Sequence, residues 1–226
     1  MKHEITAMKI QWLSERELSV LMPPDALTPG LRRKISQSDG PSGSIVTQGA
    51  RAVHFLWDPR TQTLLKDPTS LQRKTEAWIE TLLVDSRQKI EAETNASSKF
   101  TVPVRYGHDP LMTHDLERLA RLNRCTAEEI VRRHRATTWF VAFSGFQPGF
   151  AYLEPMPGSP AIDAPRHETP RAKVPAGSVA LGGSYCGIYP QQGPGGWNLI
   201  GETSLSFLDP ASGAGIWQTG DLVEFV

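Results

Sequence analysis

Gly145-Phe146-Gln147-Pro148-Gly149-Phe150-Ala151-Tyr152-Leu153 opens the stretch that decides the fold. Pro165-Arg166, Pro170-Arg171, Val174-Pro175-Ala176-Gly177-Ser178, Gly187-Ile188-Tyr189-Pro190 and Pro194-Gly195-Gly196-Trp197 follow it. Glycine permits positive φ and close backbone approach while proline fixes φ, so this alternation with aromatic and arginine side chains specifies shaped loops. From Gly145 onward lie 14 of the 19 glycines and 10 of the 18 prolines, without a helical period. A β-barrel or sandwich of short strands is the expectation for this part.

Upstream the period changes. Thr101–Tyr106 reads as a strand, and Leu116, Leu119, Ala120 and Leu122 fit one helix. Thr126 and Glu129 have capping-box spacing and start a second helix, with Ile130, Val131 and His134 on one face. Thr138–Phe143 reads as a buried strand. Residues 8–93 form a small α+β unit: strands are predicted at Ile10–Leu13, Leu18–Met22 and Ala50–Trp57, the last ending at the turn Asp58-Pro59. A helix follows, with a capping box at Thr69 and Gln72 and a core face of Leu71, Thr75, Trp78, Ile79 and Leu82. Ser36–Ser44 lacks apolar anchors and is expected to be a mobile loop, with Glu91–Lys99 as a linker. The fold class is α+β, with an N-terminal domain over 1–95 and a second domain over 100–226.

At 226 residues the chain can bury sizeable cores, and 24 Lys+Arg against 24 Asp+Glu leave no electrostatic footprint for nucleic acid or an anionic membrane. Cys125 and Cys186 lack disulfide or zinc spacing. The start has no apolar signal segment and no run reaches membrane-spanning length, so a soluble, cytoplasmic chain is expected.

His134 is the candidate acid/base, with burial in the core as the alternative. Arg166, Arg171 and Lys173 are candidates for an anionic substrate, because guanidinium forks bind carboxylates bidentately; pairing with Asp163 or Glu168 is the other reading. Phe146, Tyr152 and Tyr189 are candidate pocket walls, whereas Phe150 and Trp197 are expected in the core. The Pro148-Gly149 and Pro194-Gly195-Gly196 runs are candidates for presenting backbone N–H groups to an oxyanion, with plain turns as the equal alternative. Neither Ser178 nor Cys186 has the setting of a nucleophile, and GxxxxGK[ST] is absent.

The quoted runs, with Val102-Pro103-Val104-Arg105-Tyr106-Gly107, Asp115-Leu116-Glu117, His134 and Gly220-Asp221, resemble the family of the 5-oxoprolinase B-type subunit, also called allophanate hydrolase subunit 1 or KipI-like. The resemblance covers about residues 101–226 and implies a cyclophilin-like β-barrel preceded by a small α+β domain. It implies a non-autonomous subunit that works with a C-type, biotin-dependent-carboxyltransferase-like partner and a third subunit in ATP-dependent opening of 5-oxoproline to glutamate. ATP would be used by the assembled complex, and no metal or biotin is indicated in this chain. Relatives implied as alternatives are urea carboxylase or allophanate hydrolase subunits and KipI, a histidine-kinase inhibitor; prolyl isomerisation rests on the barrel analogy alone. Trp139 stands where the family usually has Tyr, Tyr185-Cys186 where it has Gln-Thr, and Glu202 where it has Arg. Glu202 is therefore a candidate for substrate binding of its own kind, or for pairing with Arg166 or Arg171.

Overall fold

A computed structural model describes residues 8–14, 16–23, 26–58, 67–88 and 98–226, and the chain divides into two compact units, 1–97 and 98–226. The predicted linker lies almost wholly outside the described residues, as does Pro59 of the predicted turn.

In the first unit, β1 (Lys9–Ser14), β2 (Glu17–Leu21), β3 (Ile45–Gln48) and β4 (Ala52–Leu56) form an antiparallel sheet in the order β1-β2-β4-β3. Strand residues alternate faces, so Leu18, Val20, Val53 and Phe55 line one buried face. Against it pack α1 (Pro29–Gln37), through Leu31 and Ile35, and α2 (Pro68–Gln88), through Leu71 and Ile79. The periodicity of α2 is as predicted, but its cap is not Thr69. Asp67 accepts the Ser70 N–H at 3.0 Å, and Pro68 takes the first helical position, where its missing N–H costs nothing.

Ser36–Ser44 departs from the expected mobile loop. Ser36 and Gln37 finish α1, and Pro41–Gly43 forms a 3-10 turn with Pro41 buried. The anchors are backbone carbonyls: Trp78 Nε1 donates to Asp39 O at 3.0 Å and Trp57 Nε1 to Pro41 O at 3.3 Å. A polar composition conceals such anchoring, because the apolar partner is elsewhere in the sequence.

Arg32, 1% exposed, donates to Leu27 O (3.1 Å), Gly49 O (3.0 Å) and Ala50 O (2.9 Å), tying α1 to the β3–β4 turn. Lys cannot reproduce a planar fork aimed at three carbonyls. Arg32→Lys is therefore expected to lower the stability of the first unit by about 2–3 kcal/mol, measured by denaturant unfolding; a change below about 0.5 kcal/mol would mean that the clamp carries no weight.

The second unit is built on one eight-stranded sheet. Its strands are β5 (Lys99–Val102), β6 (Arg105–Tyr106), β7 (Thr138–Ser144), β8 (Ala151–Pro155), β10 (Ser178–Gly182), β11 (Tyr185–Ile188), β13 (Asn198–Glu202) and β14 (Leu222–Phe225). The order is β5-β14-β7-β8-β11-β10-β13-β6, with a separate ribbon of β9 (Arg171–Val174) and β12 (Gly193–Gly195). The predicted strand Thr101–Tyr106 breaks at Pro103, which has no N–H for a ladder. Its two halves are the two ends of the sheet, so the sheet curls back toward itself as a half-barrel. Val102, Val141, Leu153, Val179, Leu181, Ile188, Ile200 and Phe225 fill one face together with Leu116, Leu119 and Ile130. Those last three come from α3 (Pro110–Leu122) and α4 (Ala127–Ala136), both N-capped as their sequences dictate, by Asp109 and Thr126. Leu122, which fits the same helix in the sequence, ends α3 and is 43% exposed.

Candidate functional site

The opposite face of the same strands carries an aromatic cluster. Phe150 and Trp197 are buried at 2% and 5% exposure, with ring centroids 5.6 Å apart. Tyr152 lies 5.6 Å from Trp197 and 5.1 Å from Phe150, all edge to face. Gly182 and Gly187 make room for the indole. A Cβ on Gly182 would fall 2.4 Å from Trp197 Cδ1, and one on Gly187 would fall 2.6 Å from Phe150 Cζ. Tyr189 packs 5.5 Å from Phe150, and burial, with the Tyr152 phenol next in effect, pushes its hydroxyl up to about 12. It is therefore a neutral donor at pH 7.

Phe146 forms the rim. It has φ 70°, and Gln147 N donates to Gly145 O at 2.8 Å across it, which is the rare γ-turn of positive φ. Its ring is 54% exposed and meets Phe150 and Tyr189 edge-on at 5.2 and 5.9 Å. A bulky residue in this conformation costs about 1–3 kcal/mol and marks a position where ring placement has been preferred over comfort. Pro148 is exposed beside it. Gly149, at φ 79°, meets Leu208, which a Cβ would approach within 2.5 Å, and its carbonyl accepts Trp217 Nε1 at 3.1 Å.

Cations approach the cluster along residues 165–171. Arg166 is exposed, lies 5.6 Å from the Trp197 ring centroid, and makes no ion pair among the described residues. Lys173 on β9 is likewise exposed and, among the same residues, unpaired. Arg171 differs. Its Nη2 donates to Asp115 Oδ1 and Oδ2 at 2.7 and 2.8 Å and its Nη1 to Trp197 O at 3.1 Å, so neither Asp163 nor Glu168 is its partner and its charge is already matched. Asp115, 0% exposed on α3, also accepts the Leu199 N–H at 2.8 Å, and His167 Nε2 lies 3.3 Å from its Oδ1. The segment is held further by Arg118 and Asn198, which both donate to Pro165 O.

Two predicted residues lie elsewhere. His134 is fully buried, with Nδ1 2.9 Å from Tyr106 Oη and Nε2 3.3 Å from Cys186 Sγ, and burial drives its pKa down to about 3. Burial raises both Tyr106 and Cys186. The three are a neutral polar triad inside the half-barrel. Glu202 pairs across strands with Arg105, and His108 Nε2 lies 3.0 Å from its other oxygen, so its partners are not Arg166 or Arg171. It stands at the far end of β13 from Trp197, about 15 Å away at the strand rise. The residues that converge are thus Phe146, Tyr152, Arg166, Arg171, Tyr189 and Trp197.

Asp115 and His167 were not singled out from sequence as site residues. The signal was present for Asp115, a carboxylate among the core-facing positions Met112, Leu116 and Leu119 of an amphipathic helix, which requires a buried partner. His167 offered none.

Residues 8–216 match the carboxyltransferase domain, subdomain C and D. The chain is 38% identical over 149 residues to the B-type subunit of 5-oxoprolinase from Haemophilus influenzae, covering 64% of this chain and 68% of that protein. It is 38% identical over 168 residues to the B-type subunit of 5-oxoprolinase from Escherichia coli O157:H7, covering 72% of each. Among solved structures it is similar to TTHA0988, at 26% identity and a TM-score of 0.64, over 93% of this chain and 39% of that longer one.

Proposed function

The chain belongs to the carboxyltransferase-domain family, subdomain C and D, and from that premise we propose that it is the B-type subunit of a 5-oxoprolinase-type complex, opening a small acidic cyclic amide with a C-type partner. The observation that carries this reading is the 38% identity to the 5-oxoprolinase B-type subunit maintained over 72% of the Escherichia coli protein. The converged patch supports it chemically. Arg166 supplies an uncommitted guanidinium for a carboxylate, the Trp197 and Phe150 rings supply a flat apolar wall, and Tyr189 supplies a neutral hydroxyl. The exposed Phe146, held in a strained turn at the rim, fits closure of the patch by a partner. The sequence has no P-loop, and ATP is assigned to the assembled complex, as the family resemblance implies.

The isolated chain is accordingly expected to release no glutamate from 5-oxoproline and ATP, and to do so when reconstituted with the C-type protein and a third subunit. Turnover by the chain alone, or none by the complex, would overturn the reading. Within an active complex, Arg166→Ala is expected to raise KM about tenfold or more, the worth of one charge-assisted contact, with little change in fold. An unchanged KM would remove Arg166 from the site.

A further inference from the structure

Arg166 sits in a strap, residues 163–167, whose backbone is tied down on both sides of it. The Asn123 amide accepts the Asp163 N–H at 2.8 Å and donates to Asp163 O at 2.9 Å, and Ala164 O accepts the Gly183 N–H at 2.7 Å. Pro165 O takes two donors, Arg118 Nη1 at 3.0 Å and Asn198 Nδ2 at 3.1 Å, while the His167 N–H donates to Gly196 O at 2.7 Å. The last two anchors flank Arg166 directly. Pro165 O belongs to the peptide that enters Arg166 and the His167 N–H to the peptide that leaves it, so both rigid planes next to its Cα are fixed. The direction of its Cα–Cβ bond follows from them, and the guanidinium lies 5.6 Å from the Trp197 ring centroid.

Arg118 spends its guanidinium on two neutral oxygens, Pro165 O and Asn198 Oδ1, and makes no ion pair among the described residues. Asn198, 0% exposed at the start of β13, directly follows Trp197 and also donates to Leu181 O at 3.0 Å, which fixes its amide plane. One amide thus joins the ring wall to the strap that carries the cation.

We infer that Arg118 and Asn198 are positioning residues that hold the Arg166 guanidinium beside Trp197 for the carboxylate of the substrate, an assignment that rests on the amide-opening function proposed above. Neither touches the reacting atoms. A long side chain on a loose base loses more freedom when it grips a ligand, so fixing the base acts on substrate affinity and leaves the chemical step alone. The anchors at Asp163 and Ala164 keep the strap attached when Arg118 is shortened, so the fold survives the test.

Two measurements decide the matter. In the reconstituted complex at saturating ATP, Arg118→Ala should raise KM for 5-oxoproline about five- to tenfold with kcat within about twofold, at a thermal midpoint within a few degrees of the wild type. Added to Arg166→Ala it should cost nothing more, because the side chain it positions is gone. In the full chain alone, amide hydrogen exchange at His167 should be about tenfold or more faster in Arg118→Ala than in the wild type. A wild-type complex without activity overturns the functional reading, and the positioning role falls with it. An active wild type whose KM ignores Arg118→Ala, losses that multiply in the double variant, or unchanged exchange at His167 overturns the positioning role alone.

Discussion

Between pH 6.5 and pH 3 the second unit is expected to lose about 4–5 kcal/mol of stability through one side chain, His134. The folded ring resists protonation to about pH 3 because it is fully buried against Tyr106, Cys186, Trp139 and Phe225, whereas an unfolded histidine takes its proton near pH 6.5. Above pH 6.5 both states are neutral and the stability is complete. As the pH falls below 6.5 the unfolded chain binds a proton that the folded one does not, so stability declines steadily until the folded pKa is reached. At pH 4 the loss is already about 3 kcal/mol, a large part of the 5–15 kcal/mol that holds a typical domain. His134→Gln removes the titration while keeping a side chain that can donate and accept. It should be less stable than the wild type at pH 7 and lose much less between pH 7 and pH 4. Urea unfolding at the two pH values checks this, and parallel losses in both proteins would place the acid sensitivity elsewhere.

Asp115→Ala is the second large effect. It strands the Arg171 guanidinium, only 18% exposed, and leaves the Leu199 N–H without its acceptor. Breaking one side of a buried pair costs about 3–5 kcal/mol, which for a unit of this size lowers the thermal midpoint by about 10–20 °C. Removing both charges is milder. Asp115→Leu with Arg171→Met should recover at least half of the loss, because neither charge is then left buried without its partner and the new side chains lie close to Met112 and Leu199. If the double variant is no better than the single one, the carboxylate acts through the α3 backbone and not through its pair. This differs from what the Pro-Arg spacing implied, in which Arg171 faced an anionic substrate.

Much of the architecture was legible because it rests on local chemistry. The capping box at Thr126, the period of α2 and the Gly/Pro density beyond Gly145 each fix backbone conformation within a few residues. α1 was not foreseen: it is short, opens with Pro29-Gly30 and buries an arginine, so its pattern reads as polar, although Thr28-Pro29 is a start signal. The site was legible in composition and not in pairing. Nothing near Glu202 in sequence announces Arg105, which reaches it only because β6 is the strand hydrogen-bonded to β13. His167 lay hidden for the same reason, since its partner is more than fifty residues away. Motifs report the loops they build; which charges meet is decided by strand order.

The break at Pro103 bears on how the chain comes to be folded at all. β5 is held by parallel pairing of Lys99–Val102 with Leu222–Phe225, and the same β14 is the neighbour of β7 on its other side. One late segment therefore staples the first strand of the unit to its middle, across more than a hundred residues. Such remote pairing demands that a long loop be closed before any contact rewards it, which makes assembly slow. On the ribosome, α3, α4 and the hairpins from β7 to β13 emerge and pair while β5 still waits for its neighbour. Nascent chains arrested before Leu222 should consequently remain open to protease at β5 and bind chaperones, and become resistant in one step once residues 222–225 have cleared the exit tunnel.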